Sequence, residues 1–168
     1  MQSTALVDFL AIIDDLIDKE KTMLGLIQRV SSASVSIDNH IAGQINQGIL
    51  LLLGIEKSDA NAQADQLLQK LLNYRIFNDN DGKMNLSLQD IGGDLLIVSQ
   101  FTLAADTKKG LRPSFSSAAP PEQAKVLYEH FLGQATHYHN GAVASGQFGA
   151  DMQVSLCNDG PVTFLLNS

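Results

Sequence analysis

The sequence predicts a single α+β domain in which a strand-rich sheet carries two packed helices. Three observations predict it. Short apolar, partly β-branched runs recur at Leu24–Val30, Ala33–Ile37, Ile49–Ile55, Leu95–Val98, Gln153–Cys157 and Val162–Leu166. After residue 23 the long stretches with apolar residues at helical spacing are Ser58–Tyr74 and Pro121–His137. A chain of 168 residues with 45% apolar content can bury one substantial core but is short for two.

Residues 1–22 differ from the rest. Leu6, Phe9, Leu10, Ile12, Ile13, Leu16 and Ile17 recur at helical spacing with Asp8, Asp14, Asp15 and Asp18 mostly between them, which describes an appended amphipathic helix. It lacks the basic start and cleavage site of a secretory signal, and it is acidic where a mitochondrial presequence is basic. An appended helix, or an upstream start with Met23 as the true first residue, explains this segment, so the main domain is expected over residues 23–168.

From Met23 the pattern is extended. Asp38, Asn39 and His40 supply turn chemistry before Ile41–Ile45, and Gln47 and Gly48 lead into the apolar strand Ile49–Ile55, which reads as a β-meander. Ser58 or Asp59 can cap the first helix, whose buried face is Ala64, Leu67, Leu68, Leu71 and Leu72. Asn78 to Gly82 is a turn. It suggests a calcium loop, but Lys83 follows and no Glu stands at the bidentate position. Ala124, Leu127, Tyr128 and Phe131 mark the buried face of the second helix, and Asn158-Asp159-Gly160-Pro161 reads from spacing as a hairpin loop between the last two strands.

The stretch Asp94–Asp106, DLLIVSQFTLAAD, is the first place to look for a site. Ser99, Gln100 and Thr102 follow a buried-strand run, and burying three hydrogen-bonding side chains there is unfavourable unless the surroundings or a ligand satisfy them. The loop from Ala104 to Pro121 is long for a compact domain and carries the basic cluster Lys108, Lys109 and Arg112. Against a net charge of −7, contact with a nucleic acid must be local.

Several chemistries are excluded or disfavoured. A single cysteine, Cys157, permits no intrachain disulfide and fits a reducing cytoplasm, and without a cationic neighbour in sequence it reads as a buried structural thiol. His137-x-His139 ends a helix and lacks a third ligand, so no metal is assigned. Gly-x-Ser-x-Gly is absent around Ser99. No run reaches the roughly 18 apolar residues needed to span a bilayer.

Two motifs are specific. Ser99-Gln100-Phe101-Thr102-Leu103 together with Asn158-Asp159-Gly160-Pro161-Val162-Thr163 resembles the signature pair of the D-aminoacyl-tRNA deacylases, also called D-tyrosyl-tRNA deacylases. The likeness extends to Leu26-Ile27-Gln28-Arg29-Val30, Tyr74-Arg75-Ile76-Phe77, Gly82-Lys83-Met84-Asn85, Arg112-Pro113-Ser114-Phe115, and Phe148 with Met152. Residues 1–22 fall outside it.

The resemblance implies a cytoplasmic, homodimeric editing enzyme with a partly rolled, barrel-like sheet. It would hydrolyse the ester joining a D-amino acid to the terminal adenosine of tRNA, without a cofactor, and reject the L-ester. It implies that Ser99, Gln100, Phe101 and Thr102 line one wall of a site at the subunit interface. Gly160 and Pro161 of the other subunit, joined by a cis bond, would form the second wall. Phe148 and Met152 would shape the adenosine pocket, and Arg29 would support the Gly-Pro corner. Thr102 offers a hydroxyl nucleophile but no base is encoded beside it, and the alternative is water attack assisted by the tRNA 2′-hydroxyl. Two other readings are a generic Thr/Ser esterase and a non-catalytic tRNA-binding or interaction module of the same fold.

Overall fold

The computed structural model describes residues 23–108 and 110–168; the helix expected over residues 1–22, and Lys109, lie outside the described residues. The strands are β1 (Leu24–Ile37), β2 (His40–Ile45), β3 (Gly48–Gly54), β4 (Phe77–Asn78), β5 (Met84–Leu86), β6 (Asp94–Ser99), β7 (Val143–Ser145) and β8 (Gln153–Asn167). The helices are α1 (Asn61–Asn73), the single turn α2 (Leu88–Ile91) and α3 (Pro121–Tyr138), with a 3-10 turn at Phe101–Ala104.

Six strands form one mixed sheet. β1 pairs antiparallel with β2, β3 and β8, while β3–β6 and β6–β7 are parallel. The expected meander is not formed. β3 returns beside β1 rather than adding outside β2, so β2 and β3 together run along one edge of the long β1. The sheet rolls until β2 meets β7, where a Cβ on Gly43 would stand 2.8 Å from the Ser145 carbonyl oxygen. The result is an α+β, strand-rich and nearly closed sheet in a single domain, as the sequence predicts.

β3 and β6 are buried on both faces, which is why they read as unbroken apolar runs. Ile49, Leu51, Leu53, Leu95 and Ile97 face the helices, where they meet Leu67, Leu71, Leu127 and Phe131. Leu50, Leu96 and Val98 point the other way into the roll, against Val30, Val35 and Ile45. Each fully buried Leu or Ile contributes about 1.5–3 kcal/mol, so this two-sided layer is the stable floor from which the site projects.

The buried faces of α1 and α3 are those the periodicity gives, with Ala135 added to α3. The cap of α1 differs. Ala60 is the N-cap residue, and its amide donates to Gln63 Oε1 at 3.0 Å. Asp59 instead accepts the Glu56 amide at 2.7 Å. The turn at Asn78–Gly82 is held by Asp79, whose carboxylate accepts from the amides of Asp81 and Lys83 and from Asn85 Nδ2. Those bonds, the Lys83 amide foremost, hold its carboxyl below the usual carboxylate range, which explains the Asp/Asn-rich run without calcium.

Two expectations fail at the C-terminal end. Gln153–Cys157 and Val162–Leu166 are not a hairpin but two halves of β8, and both add to β1. Cys157 is exposed rather than buried, because β8 lies on the sheet edge with most of its residues in solvent. Among the described residues no helix is long and apolar enough to cross a membrane.

Candidate active site

β6 ends at Ser99, paired with Leu53, and the Gln100 amide makes the last ladder-like bond to the Leu53 carbonyl at 2.7 Å. The chain then tightens into the Phe101–Ala104 turn, closed by bonds from the Leu103 amide to the Gln100 carbonyl and from the Ala105 amide to the Thr102 carbonyl, both 3.2 Å. Gly54 makes this possible: a Cβ there would lie 2.8 Å from Leu103 Cβ, so a larger residue on β3 would push the turn away.

The three polar side chains are not buried as the strand pattern predicts. Ser99 and Gln100 are half-buried and Thr102 is exposed, because the strand stops at Ser99 and the turn brings Phe101 and Thr102 to the surface. Gln100 Nε2 donates to Thr102 Oγ1 at 2.5 Å, fixing both side chains. Among the described residues the amides of Phe101 and Thr102 have no hydrogen-bond partner. As the first N–H groups of a helical turn they point outward without intrahelical acceptors, which suits them to receive an anionic oxygen.

Beside this turn lies a cavity of about 450 Å³. Ser99, Gln100, Phe101, Phe148 and Met152 are among the residues that line it. The sequence carries no hint of the other apolar wall, made by Ile55, Ala119, Pro121 and Ala124 at the start of α3, because small residues have no chemical signal. Tyr128 braces Phe148 from behind, with ring centres 5.8 Å apart, and donates its hydroxyl to the Ile97 carbonyl at 3.0 Å. Burial pushes the Tyr128 hydroxyl pKa up to about 12. Phe101, 61% exposed, packs against Phe115 at 5.2 Å. Bonds between Asp106 and Ser114 close the loop that carries Lys108 and Arg112, and Phe115 just after it is the residue that packs on Phe101.

Gly160 and Pro161 are elsewhere. Their peptide bond is cis, and they form a projecting corner where β8 bulges away from β1 between Asn158, opposite Val30, and Thr163, opposite Gln28. Arg29 fills the gap. Its Nε donates to the Asp159 carbonyl at 2.8 Å and its Nη1 to the Ile76 carbonyl at 2.7 Å. Asn158 pins the corner further, accepting the Val162 amide at 2.8 Å and donating to Thr163 Oγ1 at 2.8 Å. These roles of Ile76, Asn158 and Thr163 depend on cross-strand contacts that sequence spacing does not reveal.

The sheet register keeps the two walls apart in one chain. Ser99 lies level with Leu53 and Gly25, whereas the corner lies level with Arg29 and three strands away. At about 3.3 Å per residue and 4.8 Å per strand the separation along the sheet is roughly 20 Å. The edge strand that carries the corner also exposes Leu156, Phe164 and Leu165.

Among the described residues no group of three His, Cys, Asp or Glu side chains is placed to hold a metal ion. His139 is buried against the Gly93 carbonyl at 2.8 Å, and His137 packs edge-on to Tyr138.

Comparison with known proteins gives concordant results. A family model described as D-Tyr-tRNA(Tyr) deacylase matches residues 26–167. The D-aminoacyl-tRNA deacylase of Pseudoalteromonas translucida is 67% identical over 144 residues, covering 86% of this chain and 99% of that protein. The D-aminoacyl-tRNA deacylase of Pseudomonas fluorescens strain SBW25 is 62% identical over 146 residues, covering 87% of this chain and 100% of that protein. Among solved structures, a c-Myc DNA unwinding element binding protein superposes with a TM-score of 0.82 at 41% identity, covering 86% of this chain and 98% of that one. A probable eukaryotic D-amino acid tRNA deacylase superposes with a TM-score of 0.78 over 88% of this chain and 100% of that one; at 16% identity it speaks to the fold alone.

Proposed function

The chain belongs to the D-Tyr-tRNA(Tyr) deacylase family and is a D-aminoacyl-tRNA deacylase, and we propose that its site works by positioning and exclusion rather than with a nucleophile of its own. The reaction is hydrolysis of the ester between a D-amino acid and the terminal adenosine of tRNA, in the cytoplasm where translation runs. One observation carries the reading: the amides of Phe101 and Thr102, without a partner among the described residues, open the turn whose Phe101 lines an apolar cavity together with Phe148 and Met152.

In this reading the cavity takes the adenine and the ester carbonyl lies against the two amides. An aminoacyl ester is already activated, so orientation and a fixed oxyanion site supply most of what hydrolysis needs. Thr102 Oγ1 is engaged by Gln100 Nε2, and among the described residues no His, Asp or Glu side chain bonds to it, which supports attack by water assisted by the tRNA 2′-hydroxyl. Ser99 and Gln100 then act as a positioning wall.

Chiral selection is assigned to Gly160 and Pro161 of a second copy, making the active species a homodimer. The roughly 20 Å separation of the two walls within one chain supports this. So does the apolar outer edge of β8, since a long unpaired edge strand with exposed Leu156, Phe164 and Leu165 needs a cover. Backbone groups at the corner would occupy the space into which an L side chain projects, while a D side chain points outward and is scarcely read. Glycine, with no side chain, should be released as well.

The test is hydrolysis of D- and L-tyrosyl-tRNA with a chelator present, using the unmodified chain and Thr102→Ala. Release of D-tyrosine alone, by both proteins and without metal, is expected. Loss of all turnover in Thr102→Ala would reinstate the threonine as nucleophile, and release of both enantiomers would point to a generic esterase.

A further inference from the structure

The likeness in the sequence includes Arg112-Pro113-Ser114-Phe115, yet none of these four residues lines the cavity or belongs to the Phe101–Ala104 turn. Phe115 is 43% exposed, and its ring centre lies 5.2 Å from that of Phe101. The planes are tilted at 52° rather than stacked, so the pair keeps ring surface open to solvent. Apolar side chains scattered singly over a surface are ordinary, but two adjoining aromatic rings form a patch that fits a binding site.

The patch is held still. Asp106 and Ser114 exchange backbone hydrogen bonds of 2.7 and 3.0 Å just before Phe115, and the Ala118 amide donates to the Phe115 carbonyl at 3.2 Å just after it. Ser117 Oγ donates to the Ala104 carbonyl, which ties the same segment to the end of the Phe101–Ala104 turn. A ring on a backbone fixed at both sides meets a ligand with little ordering cost.

Its surroundings select the ligand. Phe101 joins the patch to the cavity, because it lines that cavity and touches Phe115. Lys108 and Arg112, both exposed, lie in the loop that Ser114 closes, with Arg112 three residues before Phe115. Open aromatic rings and nearby cations are the two elements that hold single-stranded nucleic acid, the rings taking bases and the cations phosphates.

We propose that Phe115, together with the exposed surface of Phe101, is a stacking subsite for the base of the nucleotide that precedes the terminal adenosine of tRNA. The inference rests on the assignment of the cavity to the terminal adenine and extends it by one nucleotide. Every base has a π-face, so the subsite reads the presence of a base rather than its identity. Its binding energy is remote from the ester and serves to orient the terminal ribose.

The experiment uses two substrates, the D-tyrosyl ester of adenosine and the D-tyrosyl ester of the dinucleotide cytidylyl-adenosine. The unmodified chain is expected to show kcat/KM about tenfold higher on the dinucleotide, the size of one base–aromatic stack, with the difference in KM. An abasic first nucleotide abolishes that advantage, a comparison that needs no substitution in the protein. Phe115→Ala and Phe115→Leu lose the advantage and Phe115→Tyr keeps it. Equal losses on both substrates make Phe115 a prop for Phe101 and overturn the proposal. A change of oligomeric state in Phe115→Ala, measured by sedimentation, makes the patch an interface between copies and also overturns it. Free adenosine separates the two levels: if it fails to inhibit the unmodified chain, the cavity assignment falls and the subsite with it, whereas inhibition by adenosine without a dinucleotide advantage removes the subsite alone.

Discussion

Arg29 and Asp159, 130 residues apart in sequence, are joined by a 2.8 Å hydrogen bond from the guanidinium Nε to the Asp159 backbone carbonyl. The same side chain, 8% exposed, donates through Nη1 to the Ile76 carbonyl, so one buried cation ties the first strand to the Gly-Pro corner and to the segment after α1. Arg29→Lys keeps the charge but loses the fork that serves both carbonyls. The expected outcome is a stability loss of about 1–3 kcal/mol and at least a tenfold drop in the ratio of D- to L-tyrosyl-tRNA hydrolysis. Denaturant unfolding and the two initial rates check it, and an unchanged ratio would dissociate Arg29 from chiral selection.

Gly160 has φ of 137°, and a Cβ there would stand 2.7 Å from Val162 Cγ2 and 2.9 Å from Arg29 Nη2. Gly160→Ala must displace the corner or the guanidinium that supports it. Activity on D-tyrosyl-tRNA should fall about a hundredfold, as a displacement of about 1 Å at a positioning wall does, with the fold retained by circular dichroism. Wild-type release of glycine from tRNA at concentrations that clear D-tyrosine is the companion expectation; failure to release it would contradict simple steric exclusion.

Gln100 holds Thr102 Oγ1 at 2.5 Å. Thr102→Ala removes that anchor but leaves the backbone amides in place, so kcat should fall by no more than about tenfold, far short of the loss expected for a covalent nucleophile. Single-turnover kinetics with D-tyrosyl-tRNA measures it.

The loop closed by Asp106 and Ser114 carries Lys108 and Arg112, and Phe115 that follows it packs on Phe101 of the site. Reversing Lys108, Lys109 and Arg112 to Glu should weaken tRNA binding at least tenfold. It should also flatten an already shallow salt dependence by about one unit of log–log slope for each phosphate that is no longer neutralised. Unchanged affinity at low salt would remove this loop from the tRNA-binding surface.

Tyr128 supplies a pH prediction. Its hydroxyl pKa, about 12 in the fold, exceeds the ordinary value of 10.0, so its contribution is fully present below pH 10 and is lost as pH rises toward 12. Stability should therefore decline across that window by up to about 3 kcal/mol, and Tyr128→Phe should lack this part of the decline. Unfolding midpoints measured from about pH 9 to 11.5 in both proteins test the sign and the size.

Local pattern in the sequence determined the elements whose burial is simple. Ile49–Ile55 and Leu95–Val98 are apolar without interruption because their strands are covered on both faces, and Leu67, Leu68, Leu71 and Leu72 fall on one helical stripe because one side of α1 meets the sheet. The two signature motifs were likewise legible, since they depend on residue identity in a contiguous run. Only the tertiary structure decided what those runs meet. Gln153–Cys157 and Val162–Leu166 look like two arms of a hairpin until both are seen to add to β1, which leaves Cys157 on the outer edge and turns Asn158–Pro161 into a corner within one strand. Strand partner and register are set by which long-range pairing buries the most surface, a choice spread over the whole chain and absent from any window of it. For the same reason sequence could name Arg29 and Gly160, but only the folded chain puts Arg29 under the corner.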